Sequence, residues 1–419
     1  MLPLRRQQHA LRRAVAAPAR PWLCANCARR SSTEAAQQPP VPEDAASAAA
    51  TEPKSTPPKR TIFSGIQPTG IPHLGNYLGA LKQWVKLQRK ARDKDRLFFS
   101  IVDLHAITVK QDPALLSVQR MQMFTCLMAL GLGAKLKDKP NKKSTIFYQS
   151  QNKQHAELMW LLSCSASMGY LGRMTQWKSK LSLPEDADPL ANAPSNKEAL
   201  KLGLFSYPVL QAADILLYNT THVPVGEDQA QHIEFTRSLA RGFNDAYGNG
   251  HSTLLKVPEL ILSPAKRVMS LTEPTKKMSK SDPNPASRIL ITDDKETIYK
   301  KFKAAKTDSI QGISYDKQAR PGVSNLLSIL YHMDESVAAS PEDLAKDFEN
   351  GSMLALKERV AAVVDAELAP IRNRYDELID TKNLEIVDHA NRGAEYATLR
   401  AKETIKRVKK AMGLAWPHA

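Results

Sequence analysis

Lys277, Ser279, Lys280 and Ser281 belong to the run Lys-Met-Ser-Lys-Ser, and far upstream His73, Gly75 and Asn76 belong to His-Leu-Gly-Asn. A glycine turn that opens a helix offers unpaired amides and a positive dipole end to phosphate. Lysines on flexible stems can follow a pyrophosphate as it departs, and they can stabilise charge that builds in a transition state. His73 can donate to a phosphate oxygen as that charge grows. Either run alone reads as something plainer, a strand-to-helix turn or a solvated charged loop. Both in one chain point to chemistry on a nucleoside triphosphate.

Other residues could complete such a site. The stretch GIQPTGIPHLGN, from Gly65 to Asn76, carries three glycines and two prolines between strand and helix, which lets a backbone approach a ligand. Tyr207, Gln211, Asp214 and Tyr218 fall on one helical face, with Pro208 suited to the helix start. An acid between Ala213 and Ile215 needs a hydrogen-bond donor, from protein or ligand. Gly226-Glu227-Asp228-Gln229 follows a short apolar run; a carboxylate there can grip ribose hydroxyls, or Asp228 can cap a helix.

These residues need a scaffold, and the periodicity supplies one. Short β-type runs (TIFSGIQ from Thr61, LFFSIV from Leu97, STIFYQ from Ser144, then 223–225) alternate with helical patterns over 74–92, 113–130, 155–177, 207–218 and 229–243. That alternation predicts an α/β fold with a parallel sheet under crossover helices. Residues 182–196, with prolines and acids but no period, read as an exposed loop. From Glu296 the chain reads as helical, which sets a boundary near 283–286 and divides the chain at 58 and 284 into presequence and spacer (1–58), α/β domain (59–284) and helical domain (285–419). No Walker-type or G-x-G-x-x-G fingerprint occurs.

The formal charge is +16, of which +12 lies beyond residue 58, and this favours a polyanionic partner such as nucleic acid. Met1 to Thr33 holds seven arginines and no acid, with Leu2, Leu4, Leu11 and Val15 as a short apolar stripe, the pattern of a mitochondrial targeting segment. Residues 31–58, rich in Ala, Pro, Ser and Thr, read as a spacer. No apolar run is long enough to cross a bilayer, so no membrane partner is expected. Cys24 and Cys27 lack a second pair for zinc, no metal site is expected, and Cys126 and Cys164 read as core residues.

In order along the chain, TIFSGIQPTG, HLGNYLGAL, VDLHAIT, RMTQWK, YPVLQAADILLYN, VPVGEDQ, KKMSKSDP and GVSNLL resemble the tryptophanyl-tRNA synthetases of the bacterial and mitochondrial type, over residues 61–414. The resemblance implies a class I synthetase: a Rossmann-like catalytic domain and a helical domain that meets the tRNA anticodon. It implies ATP and Mg²⁺, L-tryptophan and the tryptophan tRNA as substrates, a homodimer, and service in the mitochondrial matrix. It assigns ATP contacts to Gln67, Pro68, Thr69, Gly75, Asn76, Gly226, Glu227, Asp228, Val268, Lys277, Met278, Ser279, Lys280 and Ser281. His73, Lys180, Lys277 and Lys280 become the catalytic set. Phe63, His105, Tyr207, Gln211 and Asp214 become the amino-acid pocket, with Asp214 accepting the indole N–H, a donor-only group. Lys402, Lys406, Lys409 and Lys410 oppose Ile405, Val408 and Met412 on a terminal helix, as an RNA-facing or simply solvated side would.

The first signature ends in Asn76 where the general class I pattern has histidine, as members of the tryptophan branch often do, and the chain departs from many bacterial members at Gln211, where they have methionine. Residues 183–196 form a longer loop than in compact relatives. Three other readings share parts of this pattern: a tyrosine enzyme, a synthetase-derived RNA-binding protein without catalysis, and a nucleotidyltransferase that does not use tRNA.

Overall fold

The computed structural model describes residues 58–133, 144–180, 201–248, 253–263, 267–334, 338–348, 351–380 and 384–415, with only the backbone of 179 and 180. The expected targeting segment, the spacer and the 182–196 loop lie outside the described residues. Residues 57–419 form one compact unit.

Apolar runs buried on both faces make central parallel strands, and the sheet built around them has five strands. β1 (Thr61–Ile66), β2 (Arg96–Ile101), β3 (Ser144–Tyr148), β4 (His222–Val225) and β5 (Glu259–Leu262) lie in the order β3-β2-β1-β4-β5, all parallel. Neighbours Ile62 and Phe63 enter opposite cores, as do Leu97 and Phe98, because successive side chains alternate across a sheet. The strand order reverses beside β1, and ligands of such sheets gather outside the carboxyl ends at that point. The periodicity gave no strand at β5. Only four residues long, half-exposed and at the edge, it lacks a continuous apolar signal.

Helices depart from expectation in instructive ways. The 74–92 segment divides into Leu74–Asn76, a π-helical turn at Tyr77–Leu81, and α1 (Lys82–Arg89). α2 (Pro113–Ala129) starts with proline at its first turn, and the Asp112 side chain accepts from Leu115 N at 2.7 Å. The expected helix over 155–177 is three pieces: α3 (Gln154–Ser163), Met168–Gly172, and Thr175–Lys180. Ser167 restarts the chain by capping Tyr170 N, a local bond that competes with continuing the first helix. The break turns Cys164 out to solvent, against expectation, whereas Cys126 is fully buried. α4 (Leu202–Leu216) begins before Tyr207, so Pro208 lies inside the helix and not at its start. The helix forgoes one backbone bond there.

α5 (Ala230–Tyr247) follows β4. Beyond it come α6 (Lys295–Lys303), α7 (Pro321–Met333), a short helix at Pro341–Asp347, α8 (Met353–Asp380) and α9 (Leu384–Ala411). Val323, Leu327, Val360 and Val364 join the same core as Ile62 and Phe99, while Ala397, Ala401, Ile405 and Val408 of α9 join the core on the other face. The C-terminal helices thus pack on both faces of the sheet. Among the described residues, no helix is long and apolar enough to cross a membrane.

Candidate active site

A cavity of about 300 Å³ opens at the carboxyl ends of β1 and β4. Phe63 from β1, His105 from the turn after β2, and Tyr207, Gln211 and Asp214 from α4 all line it. Helical spacing brings the last three onto one face, as the sequence requires. Tyr218 lies past the helix end and stacks on Phe63 with centroids 5.6 Å apart. A larger cavity, bordered by Arg96, His389 and Arg392, opens at the amino ends of β2 and β3, away from these residues.

Asp214 is 1% exposed, and three donors hold its carboxylate. Gln149 Nε2 donates to Oδ1 at 2.7 Å, His155 Nδ1 faces Oδ1 at 2.7 Å, and His105 Nε2 faces Oδ2 at 2.8 Å. Burial pushes this acid upward, but the bonds from His105 and His155 outweigh it and hold the carboxyl below the usual range. Asp214 is therefore an ionised acceptor. Two carboxylate oxygens offer about four lone-pair sites, so three donors leave one, on Oδ2.

Sequence reasoning found neither Gln149 nor His155, and it gave no role of their own to Gln176 and Gln229, although both lie in quoted motifs. Gln176 accepts from Tyr207 Oη at 3.2 Å and donates to the Asp228 carbonyl at 2.7 Å. Gln211 donates to Gln229 at 3.2 Å across the mouth of the cavity. The motifs RMTQWK and VPVGEDQ, which contain Gln176 and Gln229, carry the signal for these two.

Beside this cavity the two signature segments meet. His73 caps the helix entry: its Nδ1 accepts from Asn76 N at 3.3 Å, and Asn76 Oδ1 accepts from His73 N at 3.1 Å. Gly75 has no room for a side chain, since a Cβ would lie 2.9 Å from the His73 ring and 3.7 Å from Val268. Gln67 reaches the cavity edge, and the turn through Pro68 and Thr69 runs into Gly70, whose φ of 80° suits glycine.

Lys280 crosses to that turn. Its Nζ donates to Gly70 O at 2.8 Å, Thr69 O at 2.9 Å and Thr69 Oγ1 at 3.2 Å. Met278 is buried and donates from its amide to Val268 O at 3.0 Å, which anchors the loop. Lys277 is exposed, and Ser279 Oγ and Ser281 Oγ lie 2.8 Å apart. Burial, then Lys280 and Lys277, push His73 down to about 4, so its imidazole is neutral near pH 7. With Nδ1 accepting, its proton sits on Nε2, free to donate.

Gly226 precedes the 3₁₀ turn Glu227–Gln229, where Glu227 and Asp228 are exposed. A Cβ on Gly226 would lie 2.8 Å from Asp228 Oδ1. The helix-cap alternative for Asp228 fails, because its side chain caps neither the turn nor α5. Lys180 ends the helix Thr175–Lys180, and its side chain lies outside the described residues. Among the described residues, no three His, Cys, Asp or Glu side chains converge to hold a metal ion.

The sequence and the fold match those of known proteins. The family model described as "tRNA synthetases class I (W and Y)" matches residues 56–369. The mitochondrial tryptophan–tRNA ligase of Schizosaccharomyces pombe is 45% identical over 362 residues, covering 85% of this chain and 96% of that relative. The crystal structure of tryptophanyl-tRNA synthetase from Mycoplasma pneumoniae superposes with a TM-score of 0.70 at 32% identity, covering 85% of this chain and 98% of that one. That of Campylobacter jejuni, complexed with ADP and tryptophan, gives 0.63 at 30% identity, covering 84% of this chain and 100% of that one. By its ordered motifs, its parallel sheet and these likenesses, the chain belongs to the tryptophanyl-tRNA synthetase family of class I tRNA synthetases.

Proposed function

We propose that this protein activates L-tryptophan with ATP, forming tryptophanyl-adenylate and pyrophosphate, and then transfers the aminoacyl group to tryptophan tRNA for mitochondrial translation. The observation that carries this reading is Lys280 bonded to the Thr69–Gly70 turn beside a cavity whose buried end is Asp214. Tryptophan would fill the cavity with its indole N–H on Asp214 Oδ2, walled by Phe63, His105, Tyr207 and Gln211. Its carboxylate oxygen attacks the α-phosphorus, the bond to the β-phosphate oxygen breaks, and pyrophosphate leaves.

The protein contributes position and charge to that step. His73 Nε2–H donates to phosphate oxygen, Gly75 and Asn76 offer helix-entry amides, and Gln67, Pro68 and Thr69 border the nucleotide. Gly226, Glu227 and Asp228 would hold ribose, with Val268 and Met278 against the base. Lys180, Lys277, Lys280 and the hydroxyls of Ser279 and Ser281 would take the pyrophosphate charge. Magnesium, which neutralises phosphate charge, would arrive on the nucleotide.

Two further parts rest on other surfaces. Residues 285–419 would read the tRNA anticodon, supported by exposed Lys402, Lys406 and Lys410; Lys409 is instead paired with Glu157 at 3.1 Å. A homodimer follows from the family resemblance, and exposed Ile107, Val109, Leu115, Val118, Trp160 and Met168 are apolar side chains that such an interface could cover. The arginine-rich, acid-free first 33 residues, and the mitochondrial relative, support the matrix. Charging of mitochondrial tRNA with labelled tryptophan, and import of the full chain into isolated mitochondria, test the reading. Charging with another amino acid, or no import, counts against the corresponding part.

A further inference from the structure

Behind Asp214, outside the cavity lining, lies a polar chain with no direct access to a substrate. His155 is 0% exposed, Asn152 1% and Tyr218 4%. Asn152 Nδ2 donates to Tyr218 Oη at 2.9 Å, Tyr218 Oη faces His155 Nε2 at 2.8 Å, and His155 Nδ1 faces Asp214 Oδ1 at 2.7 Å. Tyr218 is gripped by aromatic rings from three strands: Phe98 at 4.5 Å, Phe63 at 5.6 Å and Phe147 at 5.7 Å. It has no freedom to move its hydroxyl elsewhere.

The hydrogen bonds have only one satisfactory direction. An amide N–H can only donate, so the Tyr218 oxygen accepts from Asn152 and its own proton is left to donate to His155 Nε2. A ring nitrogen that accepts carries no proton, so neutral His155 bears its hydrogen on Nδ1, aimed at Asp214. The opposite tautomer would set a lone pair against the carboxylate and leave the buried tyrosine proton without a partner, which is costly.

We infer that His155, backed by Tyr218 and Asn152, is a positioning residue for amino-acid selection, fixing Asp214 Oδ1 so that Oδ2 stays open as an acceptor for a ring N–H. The inference rests on the proposed reading of the cavity as the tryptophan pocket. His155 touches no reacting atom and acts only through Asp214. Gln149, the second donor to Oδ1, supports the same orientation, and its own Oε1 accepts from Leu104 N at 3.1 Å.

The test compares tryptophan with its analogue carrying sulfur in place of the ring N–H, by amino-acid-dependent pyrophosphate exchange. In His155→Gln the amide reaches the Nε2 position and leaves Asp214 Oδ1 without that donor, whereas in His155→Asn the amide occupies the Nδ1 position. The ratio of kcat/KM for tryptophan over the analogue should fall about 10-fold or more in His155→Gln, the scale of one hydrogen bond to a charged group. It should be largely retained in His155→Asn, with the KM for ATP unchanged in both. Tyr218→Phe keeps the stacked ring and should lower the ratio in the same direction, so it decides the matter if a His155 variant fails to fold. A wild-type ratio in both His155→Gln and Tyr218→Phe overturns the role of His155 while leaving the pocket reading standing. A wild-type protein with no preference for the ring N–H overturns both.

Discussion

Lys280 Nζ lies 2.8 Å from the carbonyl oxygen of Gly70, a residue 210 positions earlier in the chain. Through this contact a loop anchored by Met278 closes over the turn that opens the first helix. Carbonyl and hydroxyl oxygens hold the lysine where phosphate oxygens, which carry formal negative charge, would be better acceptors.

Removing that charge should affect chemistry more than amino-acid binding. Lys280→Ala is expected to lower the single-turnover rate of adenylate formation by about 10² to 10³, the usual loss for one preorganised charge stabiliser. Rapid-quench measurement with tryptophan and ATP checks it. An unchanged rate removes Lys280 from the catalytic set.

Burial of Lys280 predicts a proton linkage. Desolvation, with a smaller contribution from Arg288, lowers its pKa from 10.5 to about 8. Between those values the unfolded chain holds a proton that the folded chain has lost, so this group makes stability rise with pH across the window. ATP phosphates favour the charged lysine, so ATP binding at about pH 9 should take up protons. Calorimetry in two buffers of different ionisation enthalpy reads the uptake directly, and Lys280→Met should abolish it.

Asp214→Asn turns an acceptor-only group into one that can present N–H to N–H. The KM for tryptophan should rise about 10- to 100-fold, the value of a hydrogen bond to a charged group, with little change in the KM for ATP. Steady-state exchange kinetics check both constants. If the tryptophan KM stays at its wild-type value, the indole has another partner.

Stability should depend on Gly393, where α9 crosses β3. A Cβ there would lie 1.9 Å from the Ile146 carbonyl oxygen, a backbone atom that cannot swing aside. Gly→Ala normally favours a helix by about 1 kcal/mol, but overpacking costs about 1–3 kcal/mol and more where backbone must shift. Gly393→Ala is thus expected to be net destabilising in urea unfolding, despite the better helix former. A more stable variant would show that α9 can lift from the strand.

Much of the site was legible because local sequence carries local geometry. The Gly65–Asn76 turn, the shared face of Tyr207, Gln211 and Asp214, and the loop at Lys277–Ser281 could each be read from spacing and residue type. What stayed hidden depends on pairs brought together from afar. Nothing in the neighbourhood of His155 or Gln149 announces that both meet Asp214, because the three lie on separate elements. β5 escaped because four half-exposed residues carry too little pattern, and the breaks after Ser163 and Gly172 escaped because apolar period continued across them. Pro208 misled for a different reason: packing of α4 in the core outweighs the cost of one lost backbone bond.

The most direct test of the central claim is amino-acid-dependent ATP–pyrophosphate exchange, run side by side with tryptophan and tyrosine on protein beginning at residue 59. A site in which Lys280 and His73 surround one triphosphate while Asp214 accepts a ring N–H predicts exchange with tryptophan and none with tyrosine at equal concentration. Exchange that follows tyrosine, or none with tryptophan, would contradict it.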